Sequence, residues 1–250
     1  MNKNLPWKVV WITGASTGIG REIALQLAAQ GVTVAASARS AGKLAGLGPA
    51  IRPYPLDVTD RPAVLATLET IERELGPVDL AILAAGTYSP VDVEEFDPAI
   101  FELAMATNYG GVVNALAGLL PRMSSRRTGH VAWIASVAGY VGLPKAAAYG
   151  PSKAALINLA ESLKPDLDRK GIAVSVINPG FVETPLTAQN DFNMPFLMQV
   201  PEAARLSIAG LRRRKFEIAY PRRFVFIMKL ARLLPYALFF RLIRSVVATP

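Results

Sequence analysis

Tyr149 and Lys153 stand one helical turn apart in the run Tyr-Gly-Pro-Ser-Lys, downstream of a Gly-rich turn, Thr13-Gly14-Ala15-Ser16-Thr17-Gly18-Ile19-Gly20. That spacing puts both side chains on one face of a helix. An ammonium beside a phenol favours the phenolate, so a group with an ordinary pKa of about 10 is expected to exchange protons nearer neutrality. Gly14, Gly18 and Gly20 form a Gly-x3-Gly-x-Gly turn, with Ser16, Thr17 and Ile19 between them. Missing side chains let such a backbone approach a pyrophosphate, and the following helix N-terminus adds N–H groups and partial positive charge. Gly-rich turns also serve tight strand–helix junctions, but this one follows the first apolar run, which favours nucleotide binding. A proton donor beside a dinucleotide site is what carbonyl reduction by a nicotinamide cofactor requires.

A sheet has to hold these groups. Val9-Val10-Trp11-Ile12 reads as a buried parallel strand ending in the Gly turn. Ile23 and Leu27, with Ala24 and Ala28, mark a helix closed by Gly31. Further strands are predicted at 32–38, 51–56, 78–84, 131–135 and 172–177, with helices at about 62–75, 98–123 and 149–167. Pro165 is expected to kink or shorten the last of these helices. Alternation of this kind implies an α/β doubly wound parallel sheet covered on both faces. One domain of residues 1–250 is expected, with 222–250 as a C-terminal extension. Ligands in such sheets bind beyond the strands' carboxyl ends. Gly14 to Gly20, Arg39, Asp57, Gly86, Ser136 and Asn178 to Thr184 all fall just there.

The second strand ends Ser37-Ala38-Arg39-Ser40. A carboxylate here would hold both ribose hydroxyls and favour NAD, whereas Arg39 pairs with a 2′-phosphate, so NADP(H) is the expected cofactor. Lys43 is either a second phosphate contact or a surface residue.

The chain's 250 residues are 52% apolar, which suits a globular fold, and contain no Cys, so neither a disulfide framework nor a Cys-based metal site is expected. The one His, His130, cannot make a triad or a zinc cluster alone and is read as the entry to a strand. No signal peptide is expected at the N-terminus. Charge is uneven: residues 201–250 hold 11 of the 27 Lys and Arg but only 2 of the 19 acids. Between Arg222 and Val247 the cations fall within about half a turn and the apolar residues largely occupy other angles, with Pro235 dividing the stretch into two helices. Its longest apolar run, Leu233 to Phe240, is too short for the roughly 20 residues a bilayer span needs. Such a segment either lies on an anionic membrane surface or buries its apolar face on the domain or across a dimer. No recognition motif accompanies the Arg212 to Lys215 run, so no nucleic-acid partner is expected. Leu186 to Val200, rich in Phe and Met, either covers the nicotinamide as a lid or packs on the core or a neighbouring subunit.

Taken together these residues resemble the short-chain dehydrogenase/reductase family over about residues 7 to 220. The resemblance implies a Rossmann-like fold and carbonyl–alcohol interconversion with a small-molecule ketone or secondary alcohol. Asn108, Ser136, Tyr149 and Lys153 match the family's catalytic tetrad in order and spacing. By that analogy Tyr149 protonates the developing alkoxide, Lys153 lowers its pKa and binds the nicotinamide ribose, Ser136 polarises the carbonyl, and Asn108 holds a water linking Lys153 to solvent. Asp57 and Val58 look like the pair beside the adenine. Ala84 and Gly86 stand in the wall after the fourth strand, and Pro179, Gly180, Val182 and Thr184 resemble the segment that receives the nicotinamide. The family usually has Asn at position 84, so Ala84 is expected to loosen that wall. The analogy also implies a homodimer or homotetramer in the cytoplasm, with 222–250 a candidate for peripheral contact with the inner face of a membrane. Rival readings are a non-catalytic dinucleotide sensor or scaffold, and a family enzyme of another type, such as an NAD-dependent dehydrogenase or an enoyl reductase.

Overall fold

The first strand, β1 (Val9–Thr13), is buried at every residue, and side chains alternate across a strand, so it must be covered on both sides. Val9 and Trp11 point into one core and Val10 and Ile12 into the other. The structure, a computed structural model, describes residues 5–190 and 192–247. Among these, β2 (Thr33–Ala38), β3 (Ile51–Pro55), β4 (Leu80–Leu83), β5 (Gly129–Ile134), β6 (Ile172–Pro179) and β7 (Glu217–Tyr220) join β1 in one parallel sheet. The order is β3-β2-β1-β4-β5-β6-β7. Chain direction around the sheet reverses between β1 and β4, which leaves a crevice beyond their carboxyl ends.

Helices α1 (Gly18–Ala28) and α7 (Val200–Arg212) cover one face through Ile23, Ala24, Leu27, Ala204, Ile208 and Leu211. On the other face lie α3 (Arg61–Leu75), α5 (Gly111–Arg126) and α6 (Tyr149–Arg169). Between these in sequence, α2 (Ala41–Ala45) is a single short turn capped by Ser40, and α4 (Pro98–Ala104) starts on the Asp97 cap. Two of the core Trp residues satisfy their indoles within the sheet and its cover: Trp11 donates to Ser37 Oγ at 3.0 Å and Trp133 to the Leu156 carbonyl at 2.9 Å. The chain ends in α8 (Arg222–Ala231) and α9 (Tyr236–Val247), with Pro235 between them.

Four features depart from the sequence reading. β7 has only four residues and adds an edge after β6, too short a run for periodicity to reveal. Helix α7 is an addition to the predicted elements, and Pro201 sits in its first turn, where a missing N–H costs nothing. Pro165 does not end α6, which runs on to Arg169; Pro165 is exposed, so the freed carbonyl faces water. The expected single helix from 98 is α4 and α5 joined by a π turn, Met105–Gly110. This combined stretch, Pro98–Arg126, has the length and composition to cross a membrane, yet Val112, Ala115, Leu116, Leu119 and Met123 are buried in the core.

His130 is the second residue of β5 and is buried. Ser175 Oγ donates to the Lys215 carbonyl at 2.6 Å, so the 2.8 Å contact from His130 Nε2 must be a donation to Ser175 and the ring is the neutral Nε2–H tautomer. Burial pushes its pKa down to about 4 from 6.5. The unfolded chain therefore binds a proton between pH 6.5 and 4 that the folded protein refuses, and stability must fall as pH drops through that window. His130→Leu is expected to flatten this decline in urea midpoints measured at pH 7 and pH 4.5; an unchanged slope would show that other groups set it.

Candidate functional site

One cavity of about 510 Å³ opens at the carboxyl edge, and almost every residue singled out from the sequence lines it. At one end is the glycine turn. Gly14 has φ +69°, and a Cβ there would sit 2.6 Å from the Ala84 carbonyl carbon and the Ala85 nitrogen. A Cβ on Gly20 would meet the Gly14 carbonyl oxygen at 2.6 Å. Neither position admits a side chain, so the turn folds flat onto β4 and α1 starts immediately behind it. Thr17 caps α1 without a side-chain hydrogen bond, which leaves the first N–H groups of the helix available beside Ser16, Gly18 and Ile19 on the cavity wall. A diphosphate fits this cradle of bare backbone and uncapped donors.

The wall at Ala84 is not loose. Thr13 Oγ1 accepts from the Ala84 and Ala85 nitrogens at 3.2 and 3.3 Å, and the Thr13 carbonyl takes Ala84 N as well. A hydroxyl from β1 thus braces the place where an amide was expected to be missing. Thr13 was the overlooked residue; its polar side chain at the end of a buried strand was the available signal.

Arg39, Ser40 and Lys43 line the cavity near Asp57 and Val58. Among the described residues neither Arg39 nor Lys43 belongs to an ion pair. Asp57 accepts from both Thr59 N (2.9 Å) and Thr59 Oγ1 (2.8 Å) on a single oxygen. Those bonds hold its carboxyl below the usual range, helped by the Arg39 charge. Asp57 is consequently an ionised acceptor at neutral pH.

At the far end lie Gly86, Ser136, Tyr149, Lys153, Pro179, Gly180, Val182 and Thr184. Gly139 sets the distance between the Ser136 loop and α6, because a Cβ there would come within 2.9 Å of the Lys153 carbonyl carbon and the Ala154 nitrogen. Gly150 and Pro151 sit in the first turn of α6, where both are tolerated. Tyr88 packs edge-on against Tyr149 with ring centroids 5.3 Å apart and fixes the phenol ring, a contact the sequence did not suggest. Ser136 Oγ accepts from Ala138 N at 3.1 Å and donates weakly to the Pro179 carbonyl at 3.4 Å.

The electrostatics differ from the expectation drawn from spacing. Lys153 Nζ lies 5.4 Å from the Tyr149 ring centroid and donates to the Ile134 carbonyl at 2.8 Å. Burial dominates both groups. It pushes the phenol up to about 12, although the Ser136 hydroxyl pulls the other way, and it pushes the Lys153 ammonium down to about 7. Tyr149 is thereby a phenol that keeps its proton across the neutral range, rather than one made acidic by its neighbour.

Asn108 is fully buried in the π turn and is absent from the cavity wall. Its Oδ1 accepts from Thr87 N at 2.7 Å, and its Nδ2 donates to the Thr87 carbonyl (3.0 Å) and Ser152 Oγ (2.9 Å). The amide ties the segment after Gly86 to α6 beside Lys153, in place of the expected contact with cofactor and water. Asn178 likewise turns away, toward Glu217 at 3.2 Å. Thr184 Cγ2 would meet a Cβ on Gly18 at 3.2 Å, so the two ends of the cavity wall touch. Among the described residues of the 184–197 loop, Thr184, Pro185, Leu186 and Thr187 line the cavity; Phe192 packs on Phe181 and Phe196 on Phe224. Val182 pairs with Met198, with Glu183 N bonded to the Met198 carbonyl and Met198 N to the Phe181 carbonyl, which closes the base of that loop.

Comparison with known proteins agrees with this geometry. Residues 8–194 match the family described as short chain dehydrogenase. An uncharacterized oxidoreductase of Myxococcus xanthus (strain DK1622) is 36% identical over 242 residues, which is 94% of this chain and 96% of that protein. Among solved structures, a variant of actinorhodin polyketide ketoreductase with NADPH is 26% identical with a TM-score of 0.76, covering 86% of this chain and 95% of its own. A short chain dehydrogenase/reductase from Burkholderia phymatum in complex with NAD gives a TM-score of 0.83 at 23% identity, over 91% and 93% of the two chains, and that likeness concerns the fold alone.

A buried ammonium with its pKa near 7 makes the unfolded chain hold a proton that the folded one has released, from about pH 7 up to 10.5, so stability rises with pH over that range. Lys153→Met removes this slope. The variant is expected to unfold at a higher temperature than the parent at pH 7, with the gap closing by about pH 10; a variant less stable at both values would show that the Ile134 contact outweighs desolvation.

Proposed function

The chain belongs to the short-chain dehydrogenase/reductase family of NAD(P)-dependent oxidoreductases, and we propose that it uses NADP(H) to interconvert a ketone and a secondary alcohol on a hydrophobic or lipid-like substrate. The observation that carries this reading is a single cavity with Ser136, Tyr149 and Lys153 at one end and the glycine turn, Arg39 and Lys43 at the other. The apolar lining from Leu103, Ile134, Val182 and Leu186 supports a greasy substrate.

NADPH, when bound, supplies the hydride. The turn from Gly14 to Gly20 and the α1 N-terminus would hold its diphosphate, Asp57 and Val58 its adenine, and Arg39 with Lys43 its 2′-phosphate. Gly86, Pro179, Gly180, Val182 and Thr184 would shape the nicotinamide end. Ser136 donates to the carbonyl oxygen as negative charge grows there. Tyr149 holds the proton on its hydroxyl and passes it to that same oxygen, a role suited to a phenol whose pKa of about 12 keeps it loaded at neutral pH. Lys153 stands within reach of the resulting phenolate and favours it while protonated. Asn108 is a positioning residue, acting through Thr87 and Ser152.

Tyr149→Phe is expected to lower kcat for ketone reduction by about 10²- to 10⁴-fold, with NADPH affinity by fluorescence titration nearly intact; full turnover in this variant removes the proposed acid. Arg39→Asp is expected to weaken NADPH relative to NADH by roughly 10- to 100-fold, the range for hydrogen bonds to a charged group. Equal selectivity before and after would mean that Arg39 does not read the phosphate.

A further inference from the structure

We infer that α8, α9 and the exposed rings of the 184–197 loop form a docking surface for an anionic lipid bilayer, with the mouth of the cavity beside it. The apolar residues of α8 divide between two faces. Phe224, Val225, Met228 and Ala231 are buried on the domain, whereas Phe226 (69% exposed), Ile227 and Leu230 face outward. In α9 the separation is sharper: among the side chains described, only Phe239 is buried, while Tyr236, Leu238 and Phe240 are exposed and Arg241 and Arg244 occupy the opposite arc. Leu233, in the connection, is 78% exposed. The domain therefore leaves bare the face that an amphipathic helix exists to cover.

Charge selects the occupant. After Glu217 the chain has six cations, Arg222, Arg223, Lys229, Arg232, Arg241 and Arg244, and no acid; Lys229 is paired with Glu217, so the five arginines carry the charge of this face. Two copies meeting through this face would bring like charges together about a two-fold axis, whereas acidic headgroups would neutralise them. Arginine stems reach past an apolar arc to the headgroup level, and the exposed rings enter the acyl boundary.

The inner face of α8 reaches the cavity wall. The ring of Phe224 stacks on Phe181 at 5.5 Å and lies 5.9 Å from Phe196. It occupies the space a side chain on the cavity-lining Gly180 would need, 2.8 Å from its Cβ position. Phe192, Phe196 and Leu197 are themselves exposed, so the outer surface of the loop continues that of α8. A protein seated this way opens its cavity at the lipid surface and takes an apolar carbonyl or alcohol from the bilayer. Docking stands on the surface alone; only this use of it rests on the proposed reaction.

The test is co-sedimentation of the full chain with phosphatidylcholine vesicles, with and without about one third phosphatidylglycerol, at low and high salt. Binding is expected with the anionic vesicles only, weakening as salt screens the surface. The variant Arg241→Gln with Arg244→Gln should bind roughly 25-fold more weakly, each cation near such a surface contributing about fivefold. Leu238→Ser with Phe240→Ser should abolish sedimentation. All four sites are exposed, so circular dichroism should show the parent fold, and turnover of a water-soluble ketone, measured separately, should match the parent. Parent protein that stays in the supernatant overturns the proposal, as does equal binding by the variants. A Leu238→Ser, Phe240→Ser variant that turns a dimer into a monomer by light scattering, without parental vesicle binding, assigns the face to a second copy and overturns it as well.

Discussion

The close approach of Gly14 to the end of β4 governs the carboxyl edge of this sheet. Its backbone touches that of Ala84 and Ala85, and no residue with a β-carbon fits the same place. Because β1 and β4 are neighbours across the point where the winding reverses, this contact joins the two halves of the domain. It presses the glycine turn into the crevice, directs the start of α1 at the cavity and positions Gly86 on the opposite lip. Thr13 adds a hydroxyl to the junction, so that two N–H groups leaving the sheet are held without water. The site's geometry is a product of backbone packing before any functional side chain is considered.

Onto that frame the protein places two ionisable groups that desolvation has moved in opposite directions, the phenol upward and the ammonium downward. Spacing alone suggested that Coulombic attraction would prevail. Lys153 is drawn to the Ile134 carbonyl, and desolvation raises the Tyr149 phenol more than the Ser136 hydroxyl lowers it. A half-buried carboxylate nearby follows another logic. Glu217 accepts from Tyr140 at 2.7 Å, from Asn178 and from Lys229 of α8, and these donors keep it ionised against the burial that would raise its pKa. Through Lys229, α8 supplies the counter-charge for a residue of the last strand.

Much of this was legible from the chain. Val9 to Ile12, the glycine turn and the run of strands ending in Arg39, Asp57, Gly86 and Ser136 announced a parallel sheet with its ligands at one edge, because buried strands are continuous apolar runs and turns need glycine. Less local features were hidden. β7 is a strand only because β6 extends far enough to pair with it, and Gly139 matters only because α6 passes 2.9 Å from where its side chain would be. Asn108 was found by its type but misjudged in orientation, since nothing in a linear pattern tells which way an amide turns in a π helix. Thr13 was read only as the start of the glycine turn; it is the last residue of β1, and its buried hydroxyl finds its partners in the two N–H groups after β4.

The π turn at Met105–Gly110 carries one residue more per turn than the helix on either side of it. Removing a single residue there would let α4 and α5 anneal into one regular helix. The helices on either side would keep their faces, because the extra residue is taken up within the bulge, but the side chains inside it would be re-aimed. Asn108 would lose both Thr87 and Ser152, although every amino acid at the site itself remained unchanged. Chain length across these six positions is as tightly specified as residue identity, so the segment should accept substitutions at its exposed positions while rejecting any insertion or deletion.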